Sequence, residues 1–322
     1  MLVNGEWQAK WQPFQKTSDS GEFIRQQSSI RHWVSAKRNA EQVGEATFIA
    51  EKDRYHLYLA FICPWASRVL MTLYLKGLEN CISVSIVNPV LTEYGWQFNT
   101  DGTGEVGATE DHINQFHHLY QLYTHSQHDY TGRATVPVLW DKKLNTMVNN
   151  ESADIIAMLN SEFEQWATHD IDLRPTKLIP EIEALNDYLY NHLNNGVYRA
   201  GFAQSQNAYE EAVLPIFSAM DEMESRLTKQ QYLLGNELTE SDVRLFVTLI
   251  RFDLAYFGLF KCNIRACSDY PALSRYIRDI YQLPNIALTV SAAHIKKGYY
   301  SVKALNPLGI VPMGANLTWL EQ

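Results

Sequence analysis

Cysteine is scarce in this chain. Four stand in 322 residues, at positions 63, 81, 262 and 267. That is too few for a disulfide scaffold at this length and points to a reducing compartment, the cytoplasm. No apolar run approaches the ~18 residues that a membrane-spanning helix needs, so none is expected. Residues 1–10 hold no apolar segment of the signal-peptide kind, and no secretory leader is expected. Positive charge is short as well: 27 Lys and Arg face 36 Asp and Glu, for a net charge of −9. With no basic stripe to neutralise phosphates, nucleic acid is excluded as the main partner. Internal repeats and low-complexity tracts are absent from the sequence. Aromatic residues are plentiful, with 18 Tyr and 8 Trp. They serve a large core or a stacking surface for aromatic ligands.

The most informative tetrapeptide is Cys63-Pro64-Trp65-Ala66. Residues 55–61, rich in Tyr and Leu, read as a buried strand, and 64–76 read as a helix. Proline suits the first helical position. Cys63 is therefore expected at a helix N-terminus, where unpaired N–H groups and the macrodipole favour an anion. A thiol there ionises more readily, and the thiolate is the nucleophile. Ala66 stands where a C-x-x-C motif would have its second cysteine. A mixed disulfide at Cys63 must be resolved by an outside thiol.

Residues 1–45 are polar, with Trp7, Trp11, Phe14, Phe23 and Trp33 spaced through them. They read as an extension with little regular structure that packs back through those aromatics. Residues 46–160 alternate in type. After the first strand and helix come a strand at 81–87, an interruption from 88 to about 132, and a strand at 135–140. A turn at 141–143, a strand at 146–149 and a helix from 151 to about 159 complete the run. That order predicts an α/β unit with a mixed sheet. Residues 161–176 read as a linker. Beyond them the pattern is helical only, over 179–193, 207–227, 241–257, 273–283 and 286–294. Thr239 and Asp242 mark a capping box before the third of these.

Three features together resemble a glutathione transferase: Cys63-Pro64 at a helix start, Val136-Pro137 before a strand, and Glu151-Ser152 at the next helix start. The match narrows on three further runs: Cys63-Pro64-Trp65-Ala66 followed by Arg68, Thr131-Gly132-Arg133-Ala134-Thr135-Val136-Pro137-Val138-Leu139-Trp140-Asp141, and Asn195-Gly196-Val197-Tyr198-Arg199-Ala200-Gly201-Phe202-Ala203. These resemble the glutathionyl-hydroquinone reductases, the Xi class, through most of residues 46–300. The segment 102–128 departs from the family pattern.

The resemblance implies an α/β thioredoxin-like domain (46–160) followed by an all-α domain with the quinol-binding site (175–322), and a homodimer. It implies reduction of glutathionyl-hydroquinones by glutathione, with glutathione as co-substrate, no other cofactor and no metal. Cys63 matches the nucleophile and Tyr198 the proton donor, while Tyr256 and Tyr299 line the site and favour the thiolate. Trp96, Arg133, Val136, Glu151 and Ser152 match the glutathione contacts. The Val136-Pro137 bond is then expected to be cis, presenting the Val136 main chain to glutathione as an added strand. Ser152 would hold the γ-glutamyl carboxylate and Glu151 the ammonium. Tyr300 and Phe202 would join a pocket for the ring.

Plainer readings hold elsewhere. Cys81 reads as buried packing, and Cys262 and Cys267 as core or surface thiols. His112, His117, His118, His125 and His128 read as a solvated helix face rather than a metal site. Asn99, Asp101, Thr103, Gly104 and Glu110 fall at calcium-loop offsets without an entering helix, so calcium is not expected. Two other functions compete. An omega-like transferase with thioltransferase or dehydroascorbate reductase activity would share the thiol and the glutathione site and differ in the second pocket. A non-catalytic assembly module would be free to lose the nucleophile, which this chain keeps.

Overall fold

The computed structural model describes residues 1–9, 17–36, 48–315 and 317. Trp11 and Phe14 of the extension lie outside them. The described residues divide into two compact units, within Met1–Trp11, Gln27–Ile171 and Thr289–His294 for the first and Gln12–Gln26, Asp172–Leu288 and Ile295–Gln322 for the second. The opening segment is thus shared between the units rather than set apart. It is also more regular than its polarity predicts. β1 (Leu2–Val3) and β2 (Glu6–Trp7) form a small antiparallel hairpin.

The first unit is built on a four-stranded sheet. Its strands are β3 (Tyr55–Leu59), β4 (Ser83–Ile86), β5 (Val138–Asp141) and β6 (Thr146–Asn149), in the order β4-β3-β5-β6. β3 and β4 run parallel, which requires a crossover, and α1 (Pro64–Leu75) provides it. β5 pairs antiparallel with both β3 and β6. This is the mixed sheet expected from the sequence. All five residues of β3 are buried, as suits a strand paired on both edges. Each such apolar side chain contributes roughly 1.5–3 kcal/mol relative to exposure. His56, in the middle of β3, is held between the Ser83 and Ser85 hydroxyls at 2.7 and 3.0 Å. Burial pushes it down to about 3, so it stays neutral. The interruption contains one helix that its composition hides, α2 (Tyr120–Ser126). α3 (Ser152–Ser161) closes the unit and packs against α1.

The second unit is helical. α4 (Ile179–Leu189) widens into a π-helical turn at Tyr190–Asn194, and α5 (Gly196–Gly201) comes next. The sequence predicts one helix over 179–193 and leaves α5 out. α6 (Gln206–Leu227) starts on the Ser205 hydroxyl, which accepts from Ala208 N at 3.2 Å. α7 (Glu240–Leu249) opens with the Thr239–Asp242 capping box. The single helix predicted over 241–257 instead ends at Leu249 and resumes as a π-helical turn, Phe252–Tyr256. α8 (Pro271–Tyr281) begins on a proline at its first position. The helix predicted at 286–294 is a short 3-10 turn, Ile286–Thr289, and then α9 (Ala292–Tyr300), which runs six residues further than expected.

Candidate active site

Cys63 leaves β3 through a tight turn, its N–H donating to Ala60 O at 3.1 Å. It is the N-cap of α1 at φ −81° and ψ 117°, and Pro64 is the first helical residue. Its carbonyl accepts Ser67 N at 2.9 Å. The thiol sulfur lies 3.8 Å from the Val136 carbonyl oxygen, and the Val136–Pro137 bond is cis. Cys63 is half-buried, whereas the other three cysteines are buried and unpaired. Burial pushes the thiols of Cys81, Cys262 and Cys267 upward, which keeps them protonated and inert.

Behind the thiol, α1 meets the start of α3. Glu151 is the N-cap of α3, its carboxylate accepting from Ala153 N at 3.2 Å. Ser152 is the first helical residue and is buried. Arg68, 3% exposed, donates to the Ser152 hydroxyl from Nη2 at 2.6 Å and Nε at 3.1 Å. Its Nη2 lies 3.7 Å from Glu151 Oε1, and its guanidinium stacks 4.9 Å above Trp65. A positive charge at a helix N-terminus beside a hydroxyl is suited to a carboxylate ligand. Arg68 carries only a motif position in the sequence argument. The usable signal was an arginine on the apolar face of a buried helix, where an unpartnered charge is very costly.

Trp96 and Arg133 stand on loops of the same unit. Trp96 is half-buried, and its carbonyl accepts Leu119 N at 3.0 Å. Arg133 is half-buried, and its carbonyl faces the Tyr130 hydroxyl at 3.5 Å.

The second unit joins Tyr198, Tyr256 and Tyr299 by their hydroxyls. Tyr198 Oη to Tyr299 Oη is 2.6 Å and Tyr256 Oη to Tyr299 Oη is 3.0 Å. Tyr256 is fully buried and Tyr299 is 5% exposed, while Tyr198 is half-buried. Burial pushes the Tyr256 and Tyr299 hydroxyls well above the ordinary phenol value, so both keep their protons. Two π-turns place the rings: Tyr256 ends one, and α5 with Tyr198 comes directly after the other. Phe260 packs among all three, with ring centroids 5.5, 5.3 and 5.5 Å from Tyr198, Tyr256 and Tyr299. Phe202 stacks on Phe23 and meets the Phe260 ring at a tilt. Tyr300 is buried, with its hydroxyl against Gly258. Arg25, missed in the sequence, places its guanidinium 4.8 Å above the Tyr198 ring and donates to Asn195 Oδ1 at 2.7 Å.

The histidine stretch is spread over a loop and a short helix rather than one helix face. His112 meets Glu110, His117 meets Thr100, His118 lies between the Tyr94 and Tyr120 rings, and His125 bonds Asn145. Among the described residues no group of three or more His, Cys, Asp or Glu is placed to hold a metal. In the 99–110 loop the oxygens turn to the backbone instead: Asn99 Oδ1 accepts Gly104 N and Asp101 Oδ1 accepts Thr103 N. Among the described residues no helix is long and apolar enough to cross a membrane.

A cis-proline main chain beside a helix-cap thiol, on a mixed sheet followed by a helical unit, is the frame of a glutathione transferase. The family model for the glutathione S-transferase N-terminal domain matches residues 62–162, and that for the C-terminal domain matches 206–279. The chain is 48% identical to glutathionyl-hydroquinone reductase YqjG of Escherichia coli K12, over 97% of this chain and 94% of that one. The glutathione-bound structure of YqjG superposes with a TM-score of 0.87, at 46% identity, covering 98% of this chain and 95% of that one. The chain is 45% identical to glutathionyl-hydroquinone reductase PcpF of Sphingobium chlorophenolicum, over 98% of this chain and 96% of that one. The glutathione S-transferase Xi of Phanerochaete chrysosporium superposes with a TM-score of 0.90, at 43% identity, covering 97% of this chain and 98% of that one. The chain belongs to the glutathione transferases and, within them, to the Xi-class family of glutathionyl-hydroquinone reductases.

Proposed function

We propose that the protein reduces S-glutathionyl-hydroquinones with glutathione, giving the free hydroquinone and glutathione disulfide. The observation that carries this reading is the linked set of tyrosine hydroxyls in the helical unit. Thiol–disulfide exchange needs a thiolate alone. Replacing a carbon–sulfur bond by a carbon–hydrogen bond also needs an acid. An omega-like thioltransferase would have no use for that acid.

In this scheme the Val136 main chain pairs with the cysteinyl part of glutathione. Ser152 and Glu151, backed by Arg68, take the γ-glutamyl end, and Trp96 and Arg133 complete the contacts. The Cys63 thiolate attacks the glutathionyl sulfur. The sulfur–aryl bond breaks with its electron pair on the ring carbon, and Tyr198 protonates that carbon. The hydroquinone leaves and Cys63 is left disulfide-linked to glutathione. A second glutathione, as thiolate, attacks the glutathione sulfur of that disulfide, releasing glutathione disulfide and the Cys63 thiolate. The proton it shed restores Tyr198. Ala66 leaves the motif no second thiol for this step.

A homodimer in a reducing cytoplasm completes the reading, with glutathione and glutathionylated hydroquinones as partners. None of the four cysteines is joined in a disulfide, in keeping with that compartment. The test is incubation with glutathionyl-menadiol and glutathione, measuring free menadiol and glutathione disulfide. Equal amounts of the two products are expected, and Cys63→Ala abolishes both. No menadiol release, alongside robust reduction of hydroxyethyl disulfide, would overturn this reading in favour of the omega-like one.

A further inference from the structure

We propose that Leu2, Trp7 and Ser28 position the glutathione-binding residues, so that the N-terminal segment sets the KM for glutathione without taking part in the chemistry. This rests on the assignment of Arg133, Trp96 and Glu151 as glutathione contacts. All the residues concerned belong to the first unit.

Each anchor ends on, or one residue from, a different one of those contacts. Leu2 is fully buried and exchanges both main-chain hydrogen bonds with Gly132: Leu2 N to Gly132 O at 2.9 Å and Gly132 N to Leu2 O at 3.0 Å. Gly5 N donates to Tyr130 O at 3.0 Å, and Asn4 N to Thr131 Oγ1 at 2.8 Å. The β1–β2 hairpin therefore satisfies the backbone of the loop that delivers Arg133.

Trp7 does the same for Trp96. Its indole N–H donates to Glu93 O at 2.9 Å, and its ring stacks on Tyr120 at 4.9 Å. The ring edge fills the space beside Gly95, where a Cβ would lie 2.9 Å from it. Gly95 has φ +80° and directly precedes Trp96. Ser28 completes the set, with its hydroxyl 2.9 Å from Glu151 Oε2 and 3.1 Å from Asn150 O. The other Glu151 oxygen accepts Ala153 N, so the carboxylate is oriented from both sides. The chain beyond Ser28 runs on along β6, with Asn150 N donating to Ile30 O and His32 N to Val148 O.

Three contacts on three loops are thus fixed before glutathione arrives. Ordering that is complete in the free protein is not charged against binding. Removing an anchor returns that cost to the binding step and leaves the thiol chemistry alone.

The experiment uses the full-length protein with Trp7→Ala, Trp7→Phe, Ser28→Ala and Arg133→Ala. The glutathione KM and the kcat at saturating glutathione are measured for each. Trp7→Ala and Ser28→Ala are each expected to raise KM about fivefold, the value of one hydrogen bond or packing contact, with kcat within about twofold. Trp7→Phe keeps a ring against Tyr120 but loses the indole N–H bond to Glu93 and the ring edge beside Gly95, so it should recover only part of the loss. If Arg133→Ala raises KM while Trp7→Ala and Ser28→Ala leave it at the wild-type value, the inference fails and the site assignment stands. If Arg133→Ala also leaves KM unchanged, the site assignment itself has failed. A fall in kcat at constant KM overturns the inference too. Ser28→Ala removes one oxygen, so it decides the matter even if Trp7→Ala does not fold.

Discussion

A phenol has one proton to give, so the direction of donation through three linked hydroxyls decides which proton can reach a substrate. Tyr299 stands in the middle, 2.6 Å from Tyr198 and 3.0 Å from Tyr256. Tyr256 is fully buried, so its proton has its use inside the cluster. With Tyr256 donating to Tyr299 and Tyr299 to Tyr198, the Tyr198 proton is the one that can be passed on. Tyr198→Phe should therefore lower menadiol release by about 10²-fold, the range of a lost general acid, and leave hydroxyethyl disulfide reduction nearly unchanged. Tyr299→Phe keeps the acid and removes its support, at a cost of about tenfold. Equal losses of the two activities in Tyr198→Phe would remove its assigned role. At this scale the sequence was uneven in what it revealed. Cys63 is legible from local chemistry, because a proline and a strand–helix junction define its place. The tyrosines are not, since nothing local distinguishes three among 18; only the family resemblance selects them. Arg25 was hidden because it meets Tyr198 from far away in sequence, by a packing choice that no motif records.

Elements set those side chains through breaks in regular helix. The π-turns at Tyr190–Asn194 and Phe252–Tyr256 each add a residue to the helical repeat and re-aim the side chains beyond it. Apolar periodicity cannot reveal such a turn, because the stretch still reads as helix on either side. This is why the predicted helices over 179–193 and 241–257 ran through it. The capping box was legible for the opposite reason: Thr239 and Asp242 make their bonds within four residues. The short α5 escaped because its one turn and a half has two glycines. Gly201, its last residue, has a non-local purpose. A Cβ there would run into the Phe260 ring, which packs against all three tyrosines. Gly201→Ala should displace Phe260 and cost roughly 1–3 kcal/mol of stability, the usual range for overpacking, read from urea unfolding. Menadiol release should fall more than disulfide exchange. Unchanged stability with unchanged menadiol release would mean that Phe260 does not hold the cluster.

At the scale of the molecule, buried carboxylates tie the fold to pH. The alternation of strands and helices predicted both architectures, since burial on one or two faces leaves a local period. The sharing of the opening segment between two units was not legible, because main-chain pairings such as Leu2 with Gly132 leave no trace in side-chain pattern. Charge placement is similarly non-local. Glu240 is fully buried in the helical unit, where it bonds Arg174 Nη1 at 2.7 Å, Arg244 Nε at 2.7 Å and Asn186 Nδ2 at 3.2 Å. Burial pushes its carboxyl up, but Arg244 and Arg174 pull harder, and the net shift is downward from the ordinary 4.5. The unfolded chain then takes up this proton at higher pH than the folded one does, so acid favours unfolding. The stabilisation is complete above about pH 4.5 and is lost as pH falls through the lower folded value. Asp242 opposes this trend. Burial raises its carboxyl from 3.8 despite the four hydrogen bonds it accepts, so it costs stability as pH rises through that region. A pH profile of the wild type alone would mix the two groups, and a difference between variants separates them. Urea unfolding of wild type and Glu240→Gln should show the wild type more stable at pH 7, with the gap closing as pH falls below about 4.5. A gap of constant size from pH 7 to pH 3 would mean that Glu240 stabilises the fold by its shape and hydrogen bonds rather than by its charge.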